Sequence, residues 1–234
     1  MLRNRDERRT LTENLKLGSL TAFSAGMVNV TSVVIFFSFT SNVTGHYAIL
    51  AQEISKGNWY QASIVILWIF LFFFGNFLSN LLVITFKDKR EYLGHALPML
   101  LEICCLLGTG IYLEFNYSET LKETEMLVAT MLLAMGLQNG LTASISNSAV
   151  KTTHLTGLTT DLGILFSQFT KKENRADKKL VGKARLLLTI MLSYMTGGVC
   201  AGYTYLQVEV HVLYVVCGVL LIIIAYDYSA LKIN

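Results

Sequence analysis

The chain has 234 residues, of which 53% are apolar and only 15% are charged, and its formal net charge is +3. A soluble domain carries about 25% charged residues, so this composition excludes an ordinary soluble protein and favours an integral protein of a lipid bilayer. The positive charge is small and lies in short clusters, which excludes a nucleic-acid-binding surface and indicates membrane topology instead.

The charged first segment and the apolar stretches after it define the predicted elements. Residues 1–16 carry both signs of charge and are expected to lie in the cytoplasm, without a cleavable signal peptide. Two apolar stretches, 43–54 and 156–169, are short: about 12 residues of helix cover about 18 Å of a core of about 30 Å. Six stretches are long enough to cross: 17–39, 62–86, 95–114, 126–148, 184–206 and 211–228.

The distribution of basic residues indicates whether the short stretches cross. If each enters and leaves on one side, the N-terminal arginines, the basic loop 87–90 and the basic stretch 171–185 all lie in the cytoplasm. The acidic loop 115–125 then lies outside, and the tail 229–234 lies inside. If the short stretches crossed, the basic loop would lie outside. We therefore predict six spans, with both termini in the cytoplasm.

One sequence unit occurs twice. Thr-x-x-x-Thr-Gly begins at Thr40 and again at Thr152, each time after a long apolar stretch, and Gly-x-x-Asn precedes it at 26–29 and at 136–139. Because each copy contains three spans, the second copy is inverted in the membrane. The predicted fold is therefore an all-α integral membrane protein of two inverted three-span repeats, 17–114 and 126–228, each with a short re-entrant or broken helix.

The two Thr-Gly stretches, 40–45 and 152–157, and the sequence Ala-Met-Gly-Leu-Gln-Asn at 134–139 together resemble the YoaK-like family. These are small bacterial multi-span membrane proteins with a domain of unknown function. The resemblance covers the chain from about residue 15 to 228. The family commonly has Asn where this chain has His46, and often an acidic residue near Asn29, where this chain has Val30 and Thr31. The resemblance implies a multi-pass protein of the bacterial cytoplasmic membrane and supplies no activity.

Thr44-Gly45 and Thr156-Gly157 are predicted to start helices inside the bilayer. The first backbone N–H groups of such a helix lack partners; threonine can cap them, and glycine allows a ligand or a backbone to approach closely. The same N–H groups, at the positive end of the helix dipole, attract an anion. The alternative interpretation is that these small residues only allow neighbouring helices to pack tightly.

Polar side chains in apolar surroundings complete the predicted site. At membrane depth each needs a partner, which is either a ligand or another helix. Asp161 is equally compatible with a solvated entrance. Glu102 follows Pro98, a typical helix-start residue, which would place it about one turn inside the interface; a carboxyl with a histidine is able to relay protons. The predicted solute-binding residues are Asn29, Asn42, Thr44, Gly45, His46, Gln138, Asn139, His154, Thr156, Gly157 and Asp161.

No motif predicts a cofactor, a metal site or catalysis. The four cysteines lie in apolar stretches without Cys-x-x-Cys spacing, so they are expected to be small buried residues. No nucleophile–base set is visible, so the protein is not expected to be an enzyme. The pairs Gly75/Ser79 and Gly198/Gly202 are typical of helix packing.

The sequence therefore predicts a transporter of a small polar or anionic solute, which binds between the two repeats. Two alternatives stay open: a channel of the same architecture, and a membrane scaffold or partner-binding protein in which the polar motifs only join helices. Association into a homo-oligomer also stays open, as do the coupling ion and the direction of transport.

Overall fold

The computed structural model describes residues 9–87 and 91–232, without the side chains of 91 and 226–232. Arginines before Arg9, residues 88–90 of the basic loop and the last two residues of the tail lie outside the described residues. The predicted all-helical class is confirmed for the described part of the chain. Its helices are α1 (Leu11–Phe36), α2 (Val43–Ser55), α3 (Trp59–Phe86), α4 (Glu91–Phe115), α5 (Leu121–Ile145), α6 (Leu155–Gln168), α7 (Lys172–Ala176), α8 (Lys178–Val208) and α9 (Val212–Lys232).

Within the part of the chain that the structure describes, five segments are long and apolar enough to cross a membrane, so the chain is a multi-pass membrane protein. They are Leu11–Phe36, Trp59–Phe86, Tyr92–Phe115, Leu121–Ile145 and Lys178–Ala225. The last is 48 residues long and contains α8, a 3-10 turn at Glu209–His211 and most of α9. The backbone of Glu209 lies in the left-handed region, with φ of 50°, and ends α8. The short helices α2 and α6 have only 13 and 14 residues.

α1 and α5 begin in the same way. Thr10 accepts a hydrogen bond from the Glu13 backbone, and the Glu13 carboxylate accepts one back from the Thr10 backbone at 2.8 Å. Thr120 and Glu123 form the same reciprocal pair at the start of α5. Such a capping box satisfies backbone N–H groups that a helix start leaves free, so it fixes where both helices begin.

Two helix crossings, α1 with α8 and α3 with α5, form the centre of the bundle. A Cβ atom at Gly26 would collide with the carbonyl oxygen of Tyr194, and one at Gly197 with that of Phe23. At the other crossing, a Cβ at Gly136 would collide with the carbonyl oxygen of Phe72. The Cβ of a residue in place of Gly75 would lie 2.5 Å from the carbonyl oxygen of Leu133. Glycine is therefore required at these positions because the helix backbones touch.

The predicted packing pairs are only partly those observed. Ser79 is fully buried, and its side chain packs beside Gly140 of α5, as expected of a packing residue. A Cβ at Gly202, in contrast, would meet open space. The α8 crossing uses Gly197 and Gly198 instead, because these two residues face α1.

The helix ends collect at two ends of the bundle. At the acidic end, which we define by residues 114–125, the Phe36 ring packs against Tyr117 and the Tyr60 hydroxyl donates to Glu125 at 2.6 Å. Thus α1 ends and α3 begins at this end, and α2 connects them without changing ends. At the opposite end, the start of α1 packs on the start of α8 through Leu11 and Gly182.

α4 does not begin at its proline. The helix starts at Glu91, and Pro98 lies inside it, about two turns from the start. The premise that Pro98 starts this helix is therefore wrong, and Glu102 lies about three turns after the start of α4. Glu102 lies deeper along the helix and is fully buried. Because Pro98 lacks an N–H group, the carbonyl of Gly94, four residues before it, loses its usual hydrogen-bond donor in the helix.

Candidate functional site

A cavity of about 590 Å³ lies between the starts of α2 and α6. Its wall also includes residues of α1, α3, α5 and α8. Among the described residues, none of the lining side chains is Asp, Glu, Lys or Arg. Its polar lining residues are Asn29, Ser41, Asn42, Thr44, Asn139, Thr153, His154, Thr156 and Tyr194. The cavity is therefore walled by amides, hydroxyls and one imidazole, together with apolar side chains.

Asn29 joins three parts of this wall. Its Oδ1 accepts hydrogen bonds from the Thr40 backbone at 3.0 Å and from the Ser41 hydroxyl at 3.1 Å. Its Nδ2 donates to the Tyr194 hydroxyl at 2.7 Å. The side chain is only 7% exposed. One α1 residue thus fixes both the loop that leads into α2 and the side chain of α8 that faces the cavity.

Asn139 holds the corresponding place in α5. Its Oδ1 accepts a hydrogen bond from the Thr152 hydroxyl at 3.5 Å, at the far limit of such a bond. Unlike Asn29, it has no tyrosine partner among the described residues, and it is half-buried. Asn139 therefore holds its motif loop less tightly than Asn29 does. Its side-chain N–H groups face the cavity and are able to donate hydrogen bonds there.

The caps of the short helices differ from the predicted ones. The expectation that threonine caps these helices is wrong, because each helix begins before its second motif threonine. At α2 the cap is Asn42, whose Oδ1 accepts from the Gly45 backbone at 3.1 Å. At α6 the cap position is His154, and its side chain makes no capping hydrogen bond. The α6 start therefore keeps its backbone N–H donors beside the cavity.

The motif glycines make room for these cap residues. A Cβ at position 45 would lie 2.7 Å from Nδ2 of Asn42, and a Cβ at position 157 would collide with Nε2 of His154. The space beside each glycine is thus occupied by a side chain of the same motif. The sequence predicts space for a ligand or a backbone beside each glycine, and the structure instead places a side chain there.

Thr44 and Thr156 both line the cavity and are exposed to it. Among the described residues neither hydroxyl makes a hydrogen bond. Each hydroxyl can donate one bond and accept two. The two motifs thus direct matching groups into one space, next to the unsatisfied N–H groups of the α6 start.

Three predicted site residues line neither this cavity nor the one next to it: Gly45, His46 and Gln138. The His46 ring is 3% exposed, its Nε2 lies 3.0 Å from the Phe39 carbonyl oxygen, and it packs on Trp68 at 5.5 Å between ring centroids. Gln138 is fully buried and donates to the Ser24 hydroxyl at 2.6 Å. His46 and Gln138 both join helices in this structure.

A second cavity, of about 470 Å³, adjoins the first through His154, which lines both. It contains the remaining predicted residues, Gly157 and Asp161. The Asp161 carboxylate lies 2.9 Å from the Nζ atom of Lys183, and its side chain is 44% exposed. Lys151 also lines this space. Asp161 thus occupies a solvated position at the end of the bundle where α8 begins, outside the central cavity.

Three polar residues of the cavity were not predicted from the sequence. Tyr194 lies in the middle of α8, where a phenol is unusual among apolar side chains, and Ser41 and Thr153 lie inside the two motifs. Each of these two directly precedes a predicted residue, Asn42 or His154, and that position could have identified it. No group of three or more potential metal ligands exists among the described residues.

Comparisons with known proteins identify a family and nothing more specific. No curated protein matches the sequence, and no solved structure matches it. One family does match, over residues 17–226, which is nearly the whole chain and includes both motifs, both short helices and the cavity between them. The chain therefore belongs to the family described as "Protein of unknown function (DUF1275)".

Proposed function

We propose that this protein transports a small polar or anionic solute across the bacterial cytoplasmic membrane and is not an enzyme. One observation carries the proposal: side chains of both copies of the Thr-Gly motif line one cavity of about 590 Å³. This volume is in the usual range for small-molecule sites, about 300–1,000 Å³. A cavity at paired broken helices is the arrangement in which many secondary transporters hold their substrates.

The chemistry of the wall favours the solute class. The hydroxyls of Thr44 and Thr156 and the amide of Asn139 offer donors and acceptors without net charge. The uncapped start of α6 adds backbone N–H groups and the positive end of a helix dipole, which favour negative charge. A strongly cationic solute would find no carboxylate among the described lining residues. We therefore assign the site to neutral polar molecules or small anions.

The proposed architecture has six spans. The 48-residue segment Lys178–Ala225 would be about 72 Å long as one helix, far more than a bilayer core of about 30 Å. The turn at Glu209–His211 divides it into α8 and α9, each long enough to cross. The basic residues at the start of α8 favour a cytoplasmic position for that end, and the acidic end then lies outside, with α2 re-entrant from outside and α6 from inside.

Equivalent contacts support two inverted repeats. Thr10, Phe23, Gly26 and Asn29 of α1 correspond to Thr120, Leu133, Gly136 and Asn139 of α5 at a constant offset of 110. The α1–α8 and α3–α5 crossings are then the same contact made twice, because Tyr194 and Gly197 correspond to Phe72 and Gly75. Each crossing would join one repeat to the other, with the cavity at the pseudo-two-fold axis between them.

Ligand binding tests the proposal on the purified full-length protein. Chloride, nitrate, acetate, phosphate, glycerol and urea are each titrated while the melting temperature is followed, since a ligand of the native state raises it. Thr156→Val removes a hydroxyl from the cavity, while Thr159→Val is a control on the same helix, because its hydroxyl bonds to the Leu155 carbonyl at 2.9 Å and lines neither cavity. We expect weaker binding only in Thr156→Val, by about 2- to 10-fold for a neutral hydrogen bond.

Flux measurements in proteoliposomes then separate the alternatives. A saturable flux of the bound probe, slowed in Thr156→Val, supports a carrier. A flux that rises without saturation assigns the same cavity to a channel. Equal binding in the wild type and Thr156→Val would refute the cavity as the site, and no binding and no flux for any probe would favour a membrane scaffold.

A further inference from the structure

Glu102 of α4 is a buried carboxyl group without a partner. Its side chain is fully buried, and neither carboxyl oxygen has a hydrogen-bond partner among the described residues. It lies outside both cavities that contain the proposed site residues. Intramembrane carboxyl groups are costly and are commonly functional, so this one requires an explanation.

Glu125 of α5 shows how the same chain accommodates another buried carboxyl group. It is 5% exposed, but it accepts hydrogen bonds from the Tyr60 hydroxyl at 2.6 Å and from Gln61 at 2.8 Å. Its position close to the acidic end also brings it near water. Glu102 is fully buried and has no donor among the described residues, so the two buried glutamates are not equivalent.

Among the side chains that the structure describes, the elements packed on α4 bring no cation to Glu102. Helix α3 contains no charged residue, and the charged residues of α5 lie in its first two turns. One of them, Glu123, accepts a hydrogen bond from Tyr112 of α4. Tyr112 lies about 15 Å along α4 from Glu102. On α9 the nearest titratable group is the buried Cys217 thiol, whose sulfur lies 3.9 Å from the Ile103 carbonyl oxygen. The other titratable groups of these elements and of α4 itself whose side chains are described are Tyr60, Tyr92, His95, Cys104, Cys105, Glu114, Lys122, Glu209, His211 and Tyr214.

Since no described group supports a negative charge, the carboxyl keeps its proton in this conformation. An unpartnered carboxylate would need water or a donor, and both require α4 to move against its neighbours. α4 contains a feature suited to such movement: Pro98, one turn before Glu102, removes a helical hydrogen bond and makes bending easier.

We propose that Glu102 is a proton-binding site that exchanges its proton with water when α4 moves against its neighbours. The O–H bond of the acid breaks when α4 opens to water, the proton passes to a water molecule, and the carboxylate takes up a proton again before the helices close. This inference goes beyond the proposed function and does not depend on it, because Glu102 lines neither cavity.

A hydrophobic carbodiimide tests the protonation state directly, since it adds to protonated carboxyl groups in apolar surroundings. The purified wild type is treated between pH 6 and pH 9, and the modified peptides are identified by mass spectrometry. We expect modification of Glu102 at pH 6 and none of Glu125. Because the neutral fraction of a carboxyl falls about tenfold for each pH unit above its midpoint, modification should fall steeply at high pH. An unmodified Glu102 at pH 6, or equal modification of Glu125, would overturn the proposal.

Cys217 reports on the opening itself. A small thiol reagent is applied across the same pH range to the wild type and to Glu102→Gln, which keeps a neutral side chain of the same shape. Thiol reactivity rises with pH in both proteins, so the measured quantity is the ratio between them. We expect the wild type to react up to about tenfold faster at pH 9 and equally at pH 6. A ratio of one throughout would refute the link between loss of the Glu102 proton and opening of α4. Solute binding is measured in a separate experiment. A negative result for Glu102 would therefore leave the proposed transport function untouched.

Discussion

The side-chain amide of Asn29 on α1 donates a 2.7 Å hydrogen bond to the hydroxyl of Tyr194 on α8. Both residues line the central cavity, and Tyr194 also supplies the carbonyl oxygen against which Gly26 packs. One turn of α8 therefore serves two purposes: its backbone fixes the distance between the helices, and its side chain orients the amide at the cavity wall.

Tyr194→Phe should destabilise the protein. The change keeps the ring and removes the acceptor of the Asn29 amide, which costs about 1–3 kcal/mol when a buried donor loses its partner. Tyr203→Phe is the matched control, because Tyr203 is on the same helix and 71% exposed. The apparent melting temperature in detergent should fall in the first variant and stay unchanged in the second. Equal melting temperatures would show that the hydrogen bond contributes nothing.

Gly26→Ala and Gly136→Ala should be equally damaging. In each case the new methyl group would collide with a backbone carbonyl of the facing helix, so the crossing must separate. Overpacking of this kind costs about 1–3 kcal/mol or more. Gly202→Ala, where the methyl group meets open space, should leave expression and melting temperature unchanged. Tolerance of alanine at only one of the first two positions would argue against equivalent crossings.

Gly157→Ala should act through His154. A Cβ at position 157 collides with the His154 ring, so the ring must leave its place between the two cavities. The alanine variant should lose stability, and adding His154→Ala should restore part of the loss, with a coupling of about 0.5–3 kcal/mol in a double-mutant cycle. Gly163→Ala provides the control, since nothing lies near its Cβ. Additive effects of the two changes would show that the glycine does not accommodate this ring.

Labelling of single cysteines tests the six-span topology. In a background without the natural cysteines, Lys87→Cys and Lys178→Cys should react only from the cytoplasmic side, and Ser118→Cys only from outside. All three positions are exposed, so access depends on the side of the membrane. Labelling of positions 87 and 178 from opposite sides would rule out two inverted repeats.

The short helices were predictable to within a residue or two, whereas their caps were not. Apolar stretches at 43–54 and 156–169 became α2 (Val43–Ser55) and α6 (Leu155–Gln168), because length and hydropathy decide where such segments begin and end. The cap depends on where the first turn begins, and a shift of two residues replaced threonine by Asn42 and His154.

The sequence alone could not show which polar residues face the cavity and which join helices. Gln138 and Asn139 are adjacent, but successive helix residues point about 100° apart. Asn139 therefore faces the cavity, while Gln138 reaches Ser24 of α1. The sequence shows that both are amides in apolar surroundings, and only the position of the neighbouring helices shows which one is joined to a partner. The family match covers the domain of unknown function, and the narrower likeness to YoaK-like proteins stays a resemblance.

The glycine crossings also determine how the cavity can change its width. Because the backbones of α1 and α8, and of α3 and α5, touch directly at these glycines, each contact can serve as a pivot at which no side chain separates the two helices. The pivot residues Tyr194 and Phe72 are themselves part of the cavity wall. A few degrees of rotation at the two fulcrums would therefore tighten or loosen the grip on whatever the cavity holds, with most of the core left packed as it is.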